Sequence, residues 1–314
     1  MKTISIVSPA YNEEDNVEQC YTTIKAIFAE KLPDYRCEHI FVDNGSADRT
    51  VEILRRIAAT DPMVKLVVNA RNYGVFRSVF NGLRYATGDA TLVMLPVDLQ
   101  DPPELLPEFV KLWEQGYEVV AGARTVRQEA WLMRSARHVF YWIVNRLSDF
   151  EITQNVGEFQ LLDRKVMTAL MAHEDQYPYI RGMIASLGFR KIIVPYVWKE
   201  RERGKSKHNL FQLVDQAMNG IFSFTRAPMR ACTIAGLVIS AFSFLFSLLS
   251  LVLYFAAPDL APRGITTIII AIFFLSGVQL LFMGLMGEYV TAIHNQVRHG
   301  PMVVERERVN IDKT

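Results

Sequence analysis

Leu92-Val93-Met94-Leu95-Pro96-Val97-Asp98-Leu99-Gln100-Asp101-Pro102-Pro103-Glu104 is the stretch on which the reading of this chain turns. Its first half is an apolar run of buried-strand type, and it breaks at once into an acidic turn closed by two prolines. Asp98, Gln100 and Asp101 therefore stand just beyond the carboxyl end of a strand, where open α/β sheets bind their ligands. A carboxylate and an amide this close on one turn offer hard oxygen donors, which suit Mg²⁺ or Mn²⁺ held jointly with a diphosphate. The same residues fit a plainer reading, in which Asp101 caps a helix that starts at Pro102-Pro103.

On either side of this stretch, short β-rich runs alternate with helical periodicity. Ile4–Ser8, His39–Val42, Val64–Asn69, Ala90–Leu95 and Glu118–Ala121 read as strands. Glu14–Glu30, Ala47–Ala59, Phe76–Ala86 and Pro103–Gln115 read as helices. This alternation predicts an α/β domain with a doubly wound, mostly parallel sheet and helices on both faces. Its functional loops are then Pro9–Glu13, Asp43–Ser46, Arg71–Gly74, Pro96–Asp101 and Gly122–Arg124. Ala130–Leu147 adds an aromatic, arginine-rich helix, and Val156–Leu162 and Phe189–Val197 complete a second half.

The chain has 314 residues, half of them hydrophobic, and a formal charge of +1. So small a net charge argues against a nucleic-acid partner. The apolar residues concentrate late: Ala231–Ala257 and Ile265–Gly287 contain no charged residue. Each exceeds the roughly 20 residues that a helix needs to cross a bilayer, which predicts two transmembrane helices. Arg226 and Arg230 before the first, and Arg298, Arg306 and Arg308 after the second, place both termini in the cytoplasm. Leu210–Phe224 has apolar residues at helical spacing with Lys205, Lys207 and Arg226 at its ends, so it fits an interfacial amphipathic helix or a packed core helix. The expected division is a cytoplasmic domain over 1–205, a juxtamembrane helix over 206–228, a two-helix hairpin over 229–292 and a cytoplasmic tail over 293–314, charged and loosely ordered from Pro301 on. No cleavable leader is expected, because strand-like sequence begins at once. Cys20, Cys37 and Cys232 show no metal-ligand spacing and suit a reducing compartment, and His138, His173 and His208 show none either.

Two further loops carry chemistry. Pro9-Ala10-Tyr11-Asn12-Glu13 combines a ring that can stack on a base with groups that can bond its edge or a ribose hydroxyl. Val42-Asp43-Asn44-Gly45-Ser46 adds a carboxylate at a turn before a helix. Taken singly, each also fits ordinary capping, by Asn12 or Asp15 in one case and Ser46 in the other. Three acidic strand-end loops in succession favour a nucleotide with a divalent cation.

With these motifs in order, the chain resembles family 2 glycosyltransferases, and within them the polyprenyl-phosphate branch. The supporting stretches are Ser8–Glu14, Val42–Thr50, Arg71-Asn72-Tyr73-Gly74, Asp98–Glu104, Gly122-Ala123-Arg124, Val156–Arg164, Arg201–Leu210 and the paired apolar segments. The resemblance implies a GT-A type nucleotide-sugar fold on the inner membrane of a bacterium. It implies inverting transfer of one sugar from a nucleotide sugar, with likeness to bacterial members favouring UDP, to a polyprenyl phosphate such as undecaprenyl phosphate. Pro9, Tyr11, Asn12, Glu13 and Asp43 would hold the nucleotide, and Asp98 and Gln100 the Mg²⁺ or Mn²⁺. Glu158 would orient or deprotonate the acceptor. Arg124, Arg134, Arg137, Arg201, Lys205 and Lys207 would serve the phosphates, with lipid-headgroup binding as the rival role for the last three.

Three departures from the family pattern stand out. Pro96 replaces the first acid of the D-x-D loop, Asn44 replaces the second acid of V-D-D-G-S, and Glu158 stands where an aspartate is usual. Gln160 and Arg164 are not followed by the tryptophan of processive relatives, which favours single transfer. A processive polysaccharide synthase and a catalytically impaired, membrane-tethered nucleotide-sugar-binding protein remain the alternatives, and homo-oligomer formation stays open.

Overall fold

The computed structural model describes residues 1–125, 155–197, 227–256, 265–297 and 300–311. The chain divides into two units, one comprising Met1–Trp142, Phe150–Val214 and His299–Thr314, the other Ile143–Asp149 and Asp215–Arg298. All the strands belong to the first unit.

The first unit alternates as expected: β1 (Lys2–Ala10), α1 (Val17–Lys31), β2 (Tyr35–Asp43), α2 (Thr50–Thr60), β3 (Val64–Asn69), α3 (Val75–Leu83) and β4 (Ala90–Leu92). A 3₁₀ turn (Pro103–Leu105) leads into α4 (Leu106–Glu114) and β5 (Val119–Thr125). Further along the chain come β6 (Val156–Asp163), α5 (Arg164–Met171), α6 (Ile180–Ser186) and β7 (Lys191–Val197). The eight-stranded sheet runs β7-β5-β6-β4-β1-β2-β3-β8, where β8 is the late strand Glu305–Val309. β1 pairs in parallel with β2 and β4, β2 with β3, and β5 with β7, whereas β6 and β8 run antiparallel to their neighbours.

The central strands are apolar on both faces because helices cover both. Ile4, Ile6 and Val7 of β1, Ile40, Phe41 and Val42 of β2, and Leu66 and Val67 of β3 are fully buried. One core cluster gathers Ile4, Ile24, Leu92, Phe109 and Phe159, and another Phe41, Leu54, Leu66 and Val68. Leu99, in the acidic turn, packs against both.

Two sequence expectations change here. The strand expected over Ala90–Leu95 is assigned only to Leu92, although Val93 N donates to Gln160 O at 2.9 Å and Leu95 N to Val7 O at 2.9 Å. The tail is not loosely ordered: β8 pairs with β3, Arg55 bonds Glu307, and Asn310 Nδ2 donates to Ala58 O and Val64 O. The partners of Glu307 and Glu305, Arg55 and Asn81, lie more than 200 residues away in sequence, and composition cannot reveal them.

The second unit carries two long helices, α7 (Ala227–Ala256) and α8 (Ile265–Val297), so both apolar stretches are helical over their described residues. Leu237, Phe242, Leu245 and Leu249 on α7, and Phe274, Leu280 and Met283 on α8, are exposed. Among the described residues, one stretch, Phe274–Thr291, is long and apolar enough by length and composition to cross a membrane. The expected helix over 130–147, the interfacial helix over 210–224, and Arg134, Arg137, Arg201, Lys205 and Lys207 lie outside the described residues.

Candidate active site

The loops after β1 and β2 are stitched to each other rather than capping helices. Asn12 N donates to Ser46 Oγ at 2.9 Å, and Ala47 N donates back to Asn12 Oδ1 at 2.8 Å. Glu13 N donates to Thr50 Oγ1 at 2.9 Å. The capping readings fail: α1 starts after Asn16 and α2 after Arg49, neither with a side-chain cap. Asn12 adopts φ 53°, a left-handed turn that asparagine tolerates. Gly45, at φ 78°, is required for space as well, since a Cβ there would lie 2.8 Å from the carbonyl carbon of Arg71. Its absence lets the Arg71–Gly74 loop close on the Asp43 turn.

Asp43 sits fully buried at the end of β2. Its Oδ2 accepts from the backbone N–H groups of Gly45 and Ser46, each at 3.0 Å, while Oδ1 has no partner among the described residues. Burial pushes its pKa up, against the pull of those hydrogen bonds. A buried acceptor left open beside an exposed aromatic ring, Tyr11, is what a base or ribose donor would complete. Pro9, Asn12 and Glu13 are half-buried around it, and Glu13 accepts from Asn16 Nδ2 at 2.6 Å. Asn44 explains its own departure from the family acid. Its amide donates to Asn72 Oδ1 at 2.9 Å, and its oxygen accepts from Tyr73 N at 2.9 Å and from Asn69 Nδ2 at 3.3 Å. An aspartate could not make the first of these bonds.

The sheet order places the loop after β4 between the nucleotide-type loops and the ends of β5 and β6. Pro96–Leu99 forms a turn closed by Leu99 N donating to Pro96 O at 3.0 Å, with Leu99 at φ 52°. A bulky side chain in that region stores strain, a condition that concentrates at functional sites. Asp98 and Gln100 are half-buried on the two sides of it. Among the described residues no group of three acidic, histidine or cysteine side chains forms a ready metal cage. One carboxylate and one amide oxygen still fit Mg²⁺ or Mn²⁺, which are commonly held by one or two protein oxygens plus substrate phosphates.

Asp101 does not cap the following 3₁₀ turn, which has no side-chain cap. It is fully buried and faces Arg124, whose Nη2 lies 3.1 and 3.3 Å from its two oxygens. Tyr196 donates its hydroxyl to the same carboxylate and accepts from Arg124 Nε at 3.1 Å. Burial pushes Asp101 up, while Arg124 and Tyr196 pull it back. Gly122 makes room for this cluster, since a Cβ there would come within 2.8 Å of the Tyr196 and Phe159 rings.

Glu158 is 7% exposed on β6, with Oε1 lacking a hydrogen-bond donor among the described residues. Arg181 Nε approaches it to 3.8 Å, an ion pair rather than a hydrogen bond. Burial raises its pKa first of all; Arg181 and Arg124 oppose the rise and Asp101 adds to it. Gln160 and Arg164 are engaged with the backbone oxygens of Gly157 and Ala86, both at 2.7 Å. Sequence reasoning missed Arg181 and Tyr196. Tyr196 had one faint signal, a polar-tipped ring in an otherwise aliphatic strand, and the β5–β7 register sets it beside Arg124.

The arrangement can hold a nucleotide at one end, a cation at the centre and an anionic group near Arg124, Arg181 and Glu158. Comparison with known proteins shows the family. Residues 5–171 match the model of Glycosyl transferase family 2. The chain is 34% identical over 309 residues to the uncharacterized glycosyltransferase YkcC of Bacillus subtilis, covering 98% of this chain and 94% of that protein. It is 34% identical over 304 residues to the bactoprenol glucosyl transferase of Shigella phage SfV, covering 96% and 97%. Among solved structures, the mannosyltransferase PcManGT of Pyrobaculum calidifontis, in complex with GDP-Man and Mn²⁺, aligns with a TM-score of 0.48 at 19% identity, covering 94% and 87%.

Proposed function

The chain belongs to glycosyl transferase family 2 and is a glycosyltransferase, and we propose that it transfers a single sugar from a UDP-sugar to a polyprenyl phosphate with inversion. The observation that carries the acceptor is the near full-length likeness to a bactoprenol glucosyl transferase, apolar helices included. The product is a polyprenyl-monophosphate sugar, made on the cytoplasmic leaflet of a bacterial inner membrane that α7 and α8 cross.

In this reading Tyr11 stacks on the base, and Pro9, Asn12, Glu13 and Asp43 fix the nucleoside. Asp98 and Gln100 hold Mg²⁺ or Mn²⁺, which when bound screens the charge that builds on the departing diphosphate. Arg201, Lys205 and Lys207 bind the same phosphates. Arg124, with Arg134 and Arg137, binds the acceptor phosphate, one of whose oxygens attacks the anomeric carbon as the nucleoside diphosphate leaves from the opposite side. That phosphate is largely ionised near neutral pH, so Glu158 orients it more than it deprotonates it.

The test is incubation of membranes with labelled UDP-sugars, undecaprenyl phosphate and Mn²⁺. A chloroform-soluble lipid bearing one sugar is the expected result. A polymer supports the processive alternative, and no transfer from any donor sinks the reading.

A further inference from the structure

Asp101 is the fully buried acid of the acidic turn, and a buried ion pair is weak support for stability, since apolar residues of similar volume often do as well. Its partners therefore ask for another explanation. Two guanidinium nitrogens of Arg124 are held within this cluster: Nη2 by both oxygens of Asp101, and Nε by the Tyr196 hydroxyl at 3.1 Å. Tyr196 bonds Asp101 in turn, so the three side chains close a triangle in which none can rotate without breaking two bonds. The guanidinium fork is planar, and holding two of its nitrogens sets the plane of the third.

The triangle is also tied to the metal-type loop. Asp101 follows Gln100 directly, Leu99 between the candidate ligands packs against both core clusters, and Pro102-Pro103 restrict the backbone beyond. Arg124 is in this way registered to the turn that carries Asp98.

We propose that Asp101 and Tyr196 are positioning residues that lock Arg124 onto the Asp98–Gln100 turn, in the orientation that receives the acceptor's phosphate. The proposal rests on the assignment of Arg124 to that phosphate. Asp101 supplies the countercharge that keeps a partly buried arginine in place, and the Tyr196 hydroxyl supplies direction. Removing the hydroxyl leaves the ion pair and the ring packing but frees the guanidinium to turn, so acceptor affinity falls while nucleotide affinity holds.

The experiment measures equilibrium binding of undecaprenyl phosphate in nanodiscs, without donor or metal, and separately of UDP with Mn²⁺, for the full chain and for Tyr196→Phe, Asp101→Asn and Arg124→Ala. Tyr196→Phe is expected to weaken acceptor binding about tenfold, to leave UDP binding within about twofold and to keep the melting temperature. Asp101→Asn is expected to weaken acceptor binding further. Should it fail to fold, Tyr196→Phe decides alone. An unchanged acceptor Kd in Tyr196→Phe, with Arg124→Ala weakened, overturns the positioning role and leaves the acceptor assignment standing. An unchanged Kd in Arg124→Ala overturns both. Equal loss of UDP and acceptor binding in Tyr196→Phe also overturns the proposal, since that is general loosening.

Discussion

The two ends of the sheet treat buried charge in opposite ways. Toward the amino ends, Glu38 is almost wholly buried and fully provided for: Lys65 Nζ lies 2.6 Å away, and Ser5, the Thr87 N–H and the Thr87 hydroxyl all donate to it. Burial pushes the Glu38 pKa up, but Lys65, Ser5 and Thr87 outweigh it and hold the group below its ordinary value. Toward the carboxyl ends, Asp43 and Glu158 each keep a buried oxygen with no hydrogen bond among the described residues, and both are pushed up by burial. Glu38 is completed by the fold itself. Asp43 and Glu158 are left incomplete, which is costly in a folded chain unless a ligand completes them.

Four substitutions probe this contrast. Asp98→Asn is expected to lower kcat for transfer at least about 1,000-fold while the melting temperature changes little, because the turn loses the charge of its proposed cation ligand but the amide oxygen can still accept from Gln100 N. Wild-type turnover would mean that the loop is not the cation site. Glu158→Gln removes a buried carboxylate whose desolvation the 3.8 Å ion pair with Arg181 does not fully offset, so kcat should fall about 100-fold while stability rises by about 1 kcal/mol. Denaturant melts alongside kinetics check this, and a loss of both would place Glu158 with the structural acids. Glu38→Gln, at the opposite end, should cost about 3 kcal/mol by leaving the half-buried Lys65 without its countercharge. The protein that remains folded should turn over normally, and altered KM values would break the contrast.

His39 gives the smallest effect. It is buried, bonds Ser8 through Nε2 at 2.9 Å, and burial lowers its pKa from 6.5 to about 3. Below pH 6.5 the unfolded chain binds a proton that the folded chain refuses, so stability falls as pH drops from 6.5 toward 3. The slope from this one group is about 1.4 kcal/mol per pH unit, and His39→Phe should flatten it in urea melts between pH 6.5 and 5.

What was legible in the sequence was what neighbours in sequence decide. β1 to β5 and their helices announced themselves through apolar runs and turn residues, and strand-end loops followed from the alternation. Asp43, Asp98 and Glu158 are candidates from sequence because they sit in local motifs. The plainer alternative for Asp101, a helix cap, is local too, and it fails because its partners Arg124 and Tyr196 lie 23 and 95 residues away. Arg181 reaches Glu158 only through the packing of α6 against β6, which no local pattern encodes. Asn44 looked like a lost acid until Asn72, on the next loop, showed what its amide does.

β8 carries a consequence for the order of synthesis. The ribosome makes β1 to β7 first, then the two long apolar helices, and only afterwards Glu305–Val309. Until then β3 is an open edge, with N–H and C=O groups available to any extended chain. The strand that closes it emerges after both apolar helices, so the catalytic sheet is finished last, once both of those helices already exist. A chain ending before Gly300 would contain every described residue of the site and still leave that edge bare.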